Sequence, residues 1–569
     1  MKQLRWQILI VIVALGAIAV LLFSQKPVVP ETIFEVPEPV AGGSYTEALI
    51  GEYVRFNPVL DFYNSADRDV DRLIFSSLMR FDATGLAQTD LAESLGISRD
   101  GTVYNVSLNP EAVWHDGEPI TAADVAFTVD LLRSPELPIP EDLLHMWEDI
   151  EVVVLDDYLI QFRLPEPFSP FLDYLTFGVL PVHILGDLTP EEIIDSSFNM
   201  SPVGSGPYRF RQMIVEDGEI TGVALSAFDD YYSGRAFIDE IVFRYYPDDV
   251  AGLEAYRAGE VQGIGRITPE AFGDTSLDAD LNLYTGRLPR LSIIFLNLDN
   301  PDVPFFQDVD IRRALLMGIN RQRLIDRVLS GQAAIADGPI LPNTWAYFDG
   351  IQRIPHDAEE ALKIIKQAGY TIPAEGGTTR ENEDGVRLAF KLVHPDTPEH
   401  TAIAELIKQN WVDLGIDVEL IPVPYEALIE DYLEPRLYDA ALVDISLSRT
   451  PDPDPYPFWH QTQAANGQNY SMWNDRQASE YLEQARIIVD PAERARLYRN
   501  FQVRFTNELP SLPLYHPMYT YAVNEQVQGV RMGPLFDSSD RFNNIESWYL
   551  FFENVSGFEE NETPQPTDS

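Results

Sequence analysis

Apolar residues recur along this chain in two rhythms. Short runs such as Val152 to Leu155, Ile241 to Tyr245, Ile293 to Leu298 and Val418 to Val423 have the length and β-branched character of strands. Between them lie stretches whose apolar positions return every three or four residues. Ile403, Ile407, Trp411 and Leu414 form one such face, and Gly415 closes that helix. Asp357 with Glu360 can satisfy the first free amides of another helix, which Gly369 terminates, and Thr121-Ala122-Ala123-Asp124 reads as a capping box. Asp116-Gly117, just after Trp114, and Asp384-Gly385, before a strand from Val386 to Val393, supply the positive-φ positions that tight reversals need. The pattern predicts a mixed α/β fold.

At 569 residues the chain exceeds what one hydrophobic core organises, so two or three lobes are expected. Its start has a different texture. Lys2 and Arg5 precede an unbroken apolar run from Ile8 to Phe23, the layout of an export segment. No small-x-small cleavage site follows at Phe23-Ser24-Gln25-Lys26-Pro27, which favours an uncleaved signal-anchor over residues 1–26. Sixteen residues span about 24 Å as a helix, just short of a membrane unless Trp6, Gln7 and Ser24 extend it. The basic residues on its N-terminal side put the bulk of the chain outside the cytoplasm. Residues 27–41 are rich in proline and acids and read as a stiff stalk. The body then runs from Gly42 to about residue 556, and residues 557–569 form an acidic tail that is free of large apolar side chains from Glu559 onward. No internal repeat is visible.

Composition narrows the function classes. Aromatics at 11% and hydrophobics at 45% belong to a compact body, and the formal charge of −50 repels phosphate backbones, so nucleic acid is excluded as a partner. With no cysteine there is no disulfide, thiolate metal site, cysteine nucleophile or thioether-linked lipid. The eight histidines are scattered, His394 and His400 flank a proline-containing turn without a third ligand, and no HExxH, GxSxG or GxxxxGK[ST] occurs. Gly204-Ser205-Gly206 resembles a nucleophile turn, yet Pro207 removes an amide that an oxyanion hole would use, so it reads as an interdomain turn. Asp452 and Asp454 alternate with prolines that fix a rigid extended loop rather than an acid–base pair. The expectation is a non-enzyme without cofactor or metal.

Several segments, in order, resemble the extracytoplasmic solute-binding proteins of family 5, the peptide/nickel-binding proteins of ABC importers. They begin with Leu91-Ala92-Glu93-Ser94 and Asp100-Gly101-Thr102-Val103-Tyr104. The signature Val113-Trp114-His115-Asp116-Gly117-Glu118-Pro119-Ile120-Thr121-Ala122-Ala123-Asp124-Val125 follows, and then Pro202-Val203-Gly204-Ser205-Gly206-Pro207-Tyr208, where Ser205 replaces the family's Thr. Asp308-Val309-Asp310-Ile311-Arg312-Arg313-Ala314 with Ile319-Asn320-Arg321 resembles a paired-helix motif in which Asn320 stands for Asp, and either can cap the second helix. Ala368-Gly369-Tyr370, Leu414-Gly415-Ile416, Pro451 to Pro455 and Glu508-Leu509-Pro510 complete the series. Each piece is weak alone; collinear from Gly42 to about Phe552, they are specific.

The resemblance implies a two-lobed, periplasmic-binding-protein-like α/β fold with an extra inserted domain and a ligand cleft between the lobes. Carried onto this chain, lobe I combines 42–75, 203–296 and 514–556, the inserted domain is 76–202, and lobe II is 297–513. It further implies capture of a peptide or similar small solute by hinge closure and delivery to an ABC permease with its ATPase subunits. A ligand-sensing receptor or chaperone-like module using the same cleft is the alternative, and a monomer is expected. In peptide-binding members an acid three positions before the DP pair holds the ligand's ammonium; here that position is Arg449, which suits a carboxylate instead. Arg449 either pairs with an anionic group in the cleft or is a surface loop residue. The implied site around it comprises Asp452, Trp459, Asn469, Tyr470 and Trp473.

Overall fold

The fourteen-residue strand Ser511–Asn524 joins two halves of one sheet. In the computed structural model, which describes residues 39–551 apart from 277, 448–451 and 534, its first part pairs with Arg290–Leu296, and its last part pairs with Leu281–Arg287 and Gly263–Ile267. Beyond Arg290–Leu296 lie Ala440–Ser446, Ala389–Pro395 and Asp417–Val423, the last three mutually parallel. Beyond Gly263–Ile267 lie the parallel Ser44–Ile50 and Glu240–Tyr246, then the antiparallel Glu219–Ala227 and Tyr208–Glu216. These halves are lobe II and lobe I.

The chain crosses between the lobes twice, side by side. One crossing is Leu288-Pro289 and the other His516-Pro517, and the Leu288 amide donates to the Pro517 carbonyl at 2.8 Å. Pro517 has no amide hydrogen to donate, so the ladder is interrupted where the lobes meet. His516 is fully buried there; its Nδ1–H donates to the Arg290 carbonyl at 2.9 Å, and burial pushes its pKa down to about 4. The expected boundary at residue 296/297 falls instead at the end of a lobe II strand, because Arg290–Leu296 is held on both sides by lobe II pairings. The apolar alternation that revealed this strand carries no mark of which lobe it joins.

The inserted segment carries its own antiparallel sheet, ordered Ala92–Ile97, Val103–Leu108, Leu159–Arg163, Glu151–Asp156. One apolar cluster runs continuously from lobe I into it, through Tyr45, Leu73, Leu78, Trp114, Trp147 and Phe171. Lobe II has a core on each face of its sheet, one around Trp411 and Phe306 and the other around Trp459 and Phe501.

The turn at residues 204–206 is explained by close backbone approach. A Cβ on Gly204 would lie 2.0 Å from the Ile74 carbonyl oxygen, and one on Gly206 would lie 2.4 Å from that of Leu73. Glycine alone fits, and the amides of Ser205 and Gly206 both donate to the Ile74 carbonyl, at 2.9 and 2.7 Å. Ser205 Oγ accepts from the Ser76 amide at 3.0 Å. His115 completes the junction: Nδ1 accepts from the Gly204 amide at 3.2 Å and Nε2–H donates to the Gly206 carbonyl at 3.0 Å. The Trp-His-Asp-Gly signature therefore clamps the two passages of chain between lobe I and the insertion.

The predicted caps form. Thr121 N–H donates to Asp124 at 2.8 Å at the start of Ala122–Leu132, and Glu360 N–H donates to Asp357 at 2.9 Å. The run Ile8–Phe23, the stalk up to residue 38 and the acidic tail lie outside the described residues. Among the described residues no helix is long and apolar enough to cross a membrane.

Candidate functional site

Two cavities of about 260 Å³ each lie beside the lobe crossing and share Phe536 and Asp537 as a common wall. The first touches both lobes: Leu49 and Arg266 from lobe I, and Arg290 and Ser446 from lobe II. The second runs under the inserted domain. Its sides are Phe75, Phe81, Trp147, Tyr174 and Phe177, and its charged lining includes Asp61, Asp71, Arg68 and Arg72. The first opens between the lobes at the crossing, and the second is lined by lobe I and the inserted segment without a lobe II residue.

The helix Ser65–Ile74 delivers the charged groups. Asn64 caps it, accepting from the amides of Ala66 and Asp67 at 2.9 and 3.3 Å. Its sequence, SADRDVDRLI, looks like a solvated charged face, yet Asp67, Asp69 and Asp71 are all buried. Asp67 accepts from the amides of Val54 and Arg55. Asp69 bonds Arg541, which also reaches Glu47 at 2.7 Å. Arg541 is water-excluded; burial alone would lower its pKa, but Asp69 and Glu47 hold it well above its ordinary value. This triad ties the strand Ser44–Ile50, the helix and the C-terminal segment behind the cleft.

Asp71 differs. It is 2% exposed, and neither carboxylate oxygen has a partner in hydrogen-bonding geometry, although the Asn57 amide and Arg68 ease its charge. Asp61, 6% exposed, faces the same cavity. Burial pushes both carboxyls well above the usual carboxylate range; for Asp71 the neighbouring Asp61 adds to this, while for Asp61 Arg68 partly opposes it and Asp537 adds to it.

The residues expected at the site have separate fates. Asp452 is buried and paired with Arg494; Tyr498 O–H donates to it at 2.9 Å, and its own amide donates to Asp173 at 2.6 Å. Asp173 belongs to the insertion, so this contact joins the inserted domain to lobe II opposite the crossing strands. Burial raises the Asp173 pKa well above normal, and the Asp452 charge adds to it. Nearby, Ser169 Oγ–H donates to the Ile488 carbonyl at 2.6 Å and the Trp345 amide to the Thr84 carbonyl at 3.0 Å. The inserted segment and lobe II thus touch at these three places.

Trp459 and Trp473 are in the lobe II core, packed on Phe505 at 4.8 and 6.1 Å between ring centroids. Asn469 is fully buried and closes a loop, donating to the carbonyls of His460 and Trp473 and accepting from the Trp473 amide. Tyr470 is half-buried, with Arg436 over its ring at 4.8 Å. These four hold lobe II together rather than line either cavity. An aromatic–amide cluster has the same composition in a core and in a cleft, and linear sequence does not separate the two. Arg449 lies outside the described residues; of its neighbours, Ser446 lines one cavity and Asp452 contacts Asp173 at the wall of the other. Asp61 and Asp71 line a cavity without having been singled out from sequence, Asp71 because it stands in a helix whose charge pattern is typical of an exposed one. Among the described residues no group of three or more His, Cys, Asp or Glu side chains is arranged to hold a metal ion.

Two lobes joined by a paired-strand crossing are the architecture of a solute-binding protein. Residues 87–468 match the bacterial extracellular solute-binding proteins, family 5, and the chain belongs to that family. It is 26% identical over 526 residues to the oligopeptide-binding protein AppA of Bacillus subtilis, covering 90% of this chain and 92% of the relative. The structure of that AppA in complex with a nonapeptide superposes with a TM-score of 0.63 at 25% identity over 90% of this chain and 100% of the other. HbpA2 from Haemophilus parasuis shares the fold, with a TM-score of 0.77 at 21% identity over 90% of this chain and 100% of the other. The protein is the substrate-binding component of an ABC importer, and its family acts outside the cytoplasm.

Proposed function

We propose that the solute is a peptide, or a small molecule of peptide-like chemistry, held between the lobes without covalent change. The observation carrying this reading is the pair of adjoining cavities, polar at the helix Ser65–Ile74 and aromatic along the insertion, set beside the strand crossing. The similarity to a protein named for oligopeptide binding supports it. Ligand contacts to both lobes stabilise the closed form, and that form is the one the permease receives. Titration calorimetry with a panel of di- to nonapeptides tests the reading: saturable binding with every peptide recovered intact is expected, and hydrolysis of any of them overturns it.

Arg449 is proposed to hold an anionic group of the ligand; unchanged affinity in Arg449→Ala would sink that role. The run Ile8–Phe23 is proposed as the membrane attachment of a monomeric protein, with the cysteine-free sequence leaving no thioether lipid to do the same task. Removal of residues 1–40 is expected to release a soluble protein that still binds its solute. A truncated chain that stays with the membrane fraction would show that the attachment lies elsewhere.

A further inference from the structure

Resting on the reading of this cleft as the solute site, we infer that its lobe I side is a receptor for an organic cation, an ammonium or guanidinium group carried by the ligand, taken up by the carboxylates of Asp61 and Asp71.

Three observations carry this. Asp71 is a carboxylate 98% withdrawn from water that faces a cavity, and beyond the nearby Asn57 amide neither of its oxygens has a group in hydrogen-bonding geometry. A buried polar group left in that condition costs stability, and it persists where something outside the fold completes it. The second is the charge balance: six aspartates line this cavity against three arginines. Of those arginines, Arg68 pairs with Asp537 at 2.6 Å but leaves its buried Nε without a partner, Arg72 pairs with Asn543 and with Asp540 at 3.9 Å, and Arg80 is solvent-exposed at the rim. The third is the wall. Phe75, Phe81, Trp147, Tyr174, Phe177 and Phe536 surround the carboxylates with ring surface, which attracts a cation through its quadrupole and repels an anion. An ammonium donates to both Asp61 and Asp71 and carries the positive charge that balances their buried ionised form.

Burial keeps both carboxyls above their ordinary pKa, so an arriving cation replaces a proton and leaves the buried charge compensated. The cavity thus discriminates by charge before it discriminates by shape.

The test uses the full chain and two matched pairs of probes in calorimetric titration: tetraalanine against N-acetyl-tetraalanine, and benzylammonium against benzyl alcohol. Within each pair the cationic member is expected to bind more tightly by about tenfold or more. Asp71→Asn and Asp61→Asn should each abolish that preference, while Asp417→Asn, an exposed acid of lobe II, should keep it. Asp71→Asn should also raise the melting temperature, which separates lost recognition from lost folding. If tetraalanine and its acetylated form bind equally and the variants match the wild type, the inference is overturned and the peptide reading stands. If neither tetrapeptide binds, the peptide reading fails for that class and the benzyl pair decides. A preference for benzylammonium that Asp71→Asn removes supports the cation receptor, and indifference overturns it.

Discussion

Asp452 and Arg494 form an ion pair with almost no access to water, at the point where lobe II meets the inserted domain. Tyr498 donates to the same carboxylate, and the Asp452 amide reaches Asp173 across the interface. Burial alone would depress the Arg494 pKa, but the charge of Asp452 raises it above its ordinary value. The pair is stable because each ion compensates the other, and removing one partner strands the other in a dry environment. Arg494→Ala should therefore destabilise the protein by about 3 to 5 kcal/mol. Denaturant titration checks this, and a loss under about 1 kcal/mol would mark the pair as solvated.

The glycine turn gives a second prediction. Gly204→Ala places a methyl group where the Ile74 carbonyl oxygen already sits, and that oxygen belongs to the backbone and cannot turn aside as a flexible side chain would. The junction between lobe I and the insertion must open to admit it, at a cost of about 3 kcal/mol or more, by analogy with overpacked cores. Gly117→Ala is the comparison: its added atom meets nothing within 4 Å, and the cost there arises from a φ of +93° alone. A Gly204 variant as stable as wild type would contradict the close approach.

Protonation gives a third. Burial lowers the pKa of His115 and His516 to about 4. In the unfolded chain a histidine titrates near 6.5, so these two contribute stability that is complete above that pH and is lost as pH falls toward 4, roughly 3 kcal/mol each. Asp67 and Asp69, raised to about 6 mainly by burial, act in the opposite sense: their contribution is present below the ordinary carboxylate pKa and is lost as pH rises through 6. The His115 and His516 imidazole resonances should stay fixed from about pH 8 to about pH 5 and move only near pH 4. Movement near 6.5 would mean that both rings are reached by water.

Much of the architecture was legible in the sequence because it is locally encoded. The capping residues Thr121, Asp124 and Asp357 and the turn glycines Gly117 and Gly385 act within four residues of their own position. The strand Arg290–Leu296 was found by its apolar run but assigned to the wrong side of the crossing, since partnership with Ala440–Ser446 is decided about 150 residues away. The site was less legible for the same reason. Trp459 and Trp473 have the composition of a cleft wall and the position of a core, and Asp71 has the neighbours of a surface helix and the position of a cavity lining. Burial is the property that separates these cases, and it depends on tertiary contacts.

Solute is proposed to bring the lobes together. Because the chain has no cysteine, two can be placed at will, at Val215→Cys on a lobe I hairpin and Leu437→Cys on lobe II, both well exposed, and labelled as a fluorescent pair. Energy transfer is then followed while a tryptic peptide digest is added. A saturable change in transfer efficiency is expected, reversed on dialysis, with the peptides recovered uncleaved. Constant transfer at concentrations where calorimetry shows binding would contradict it.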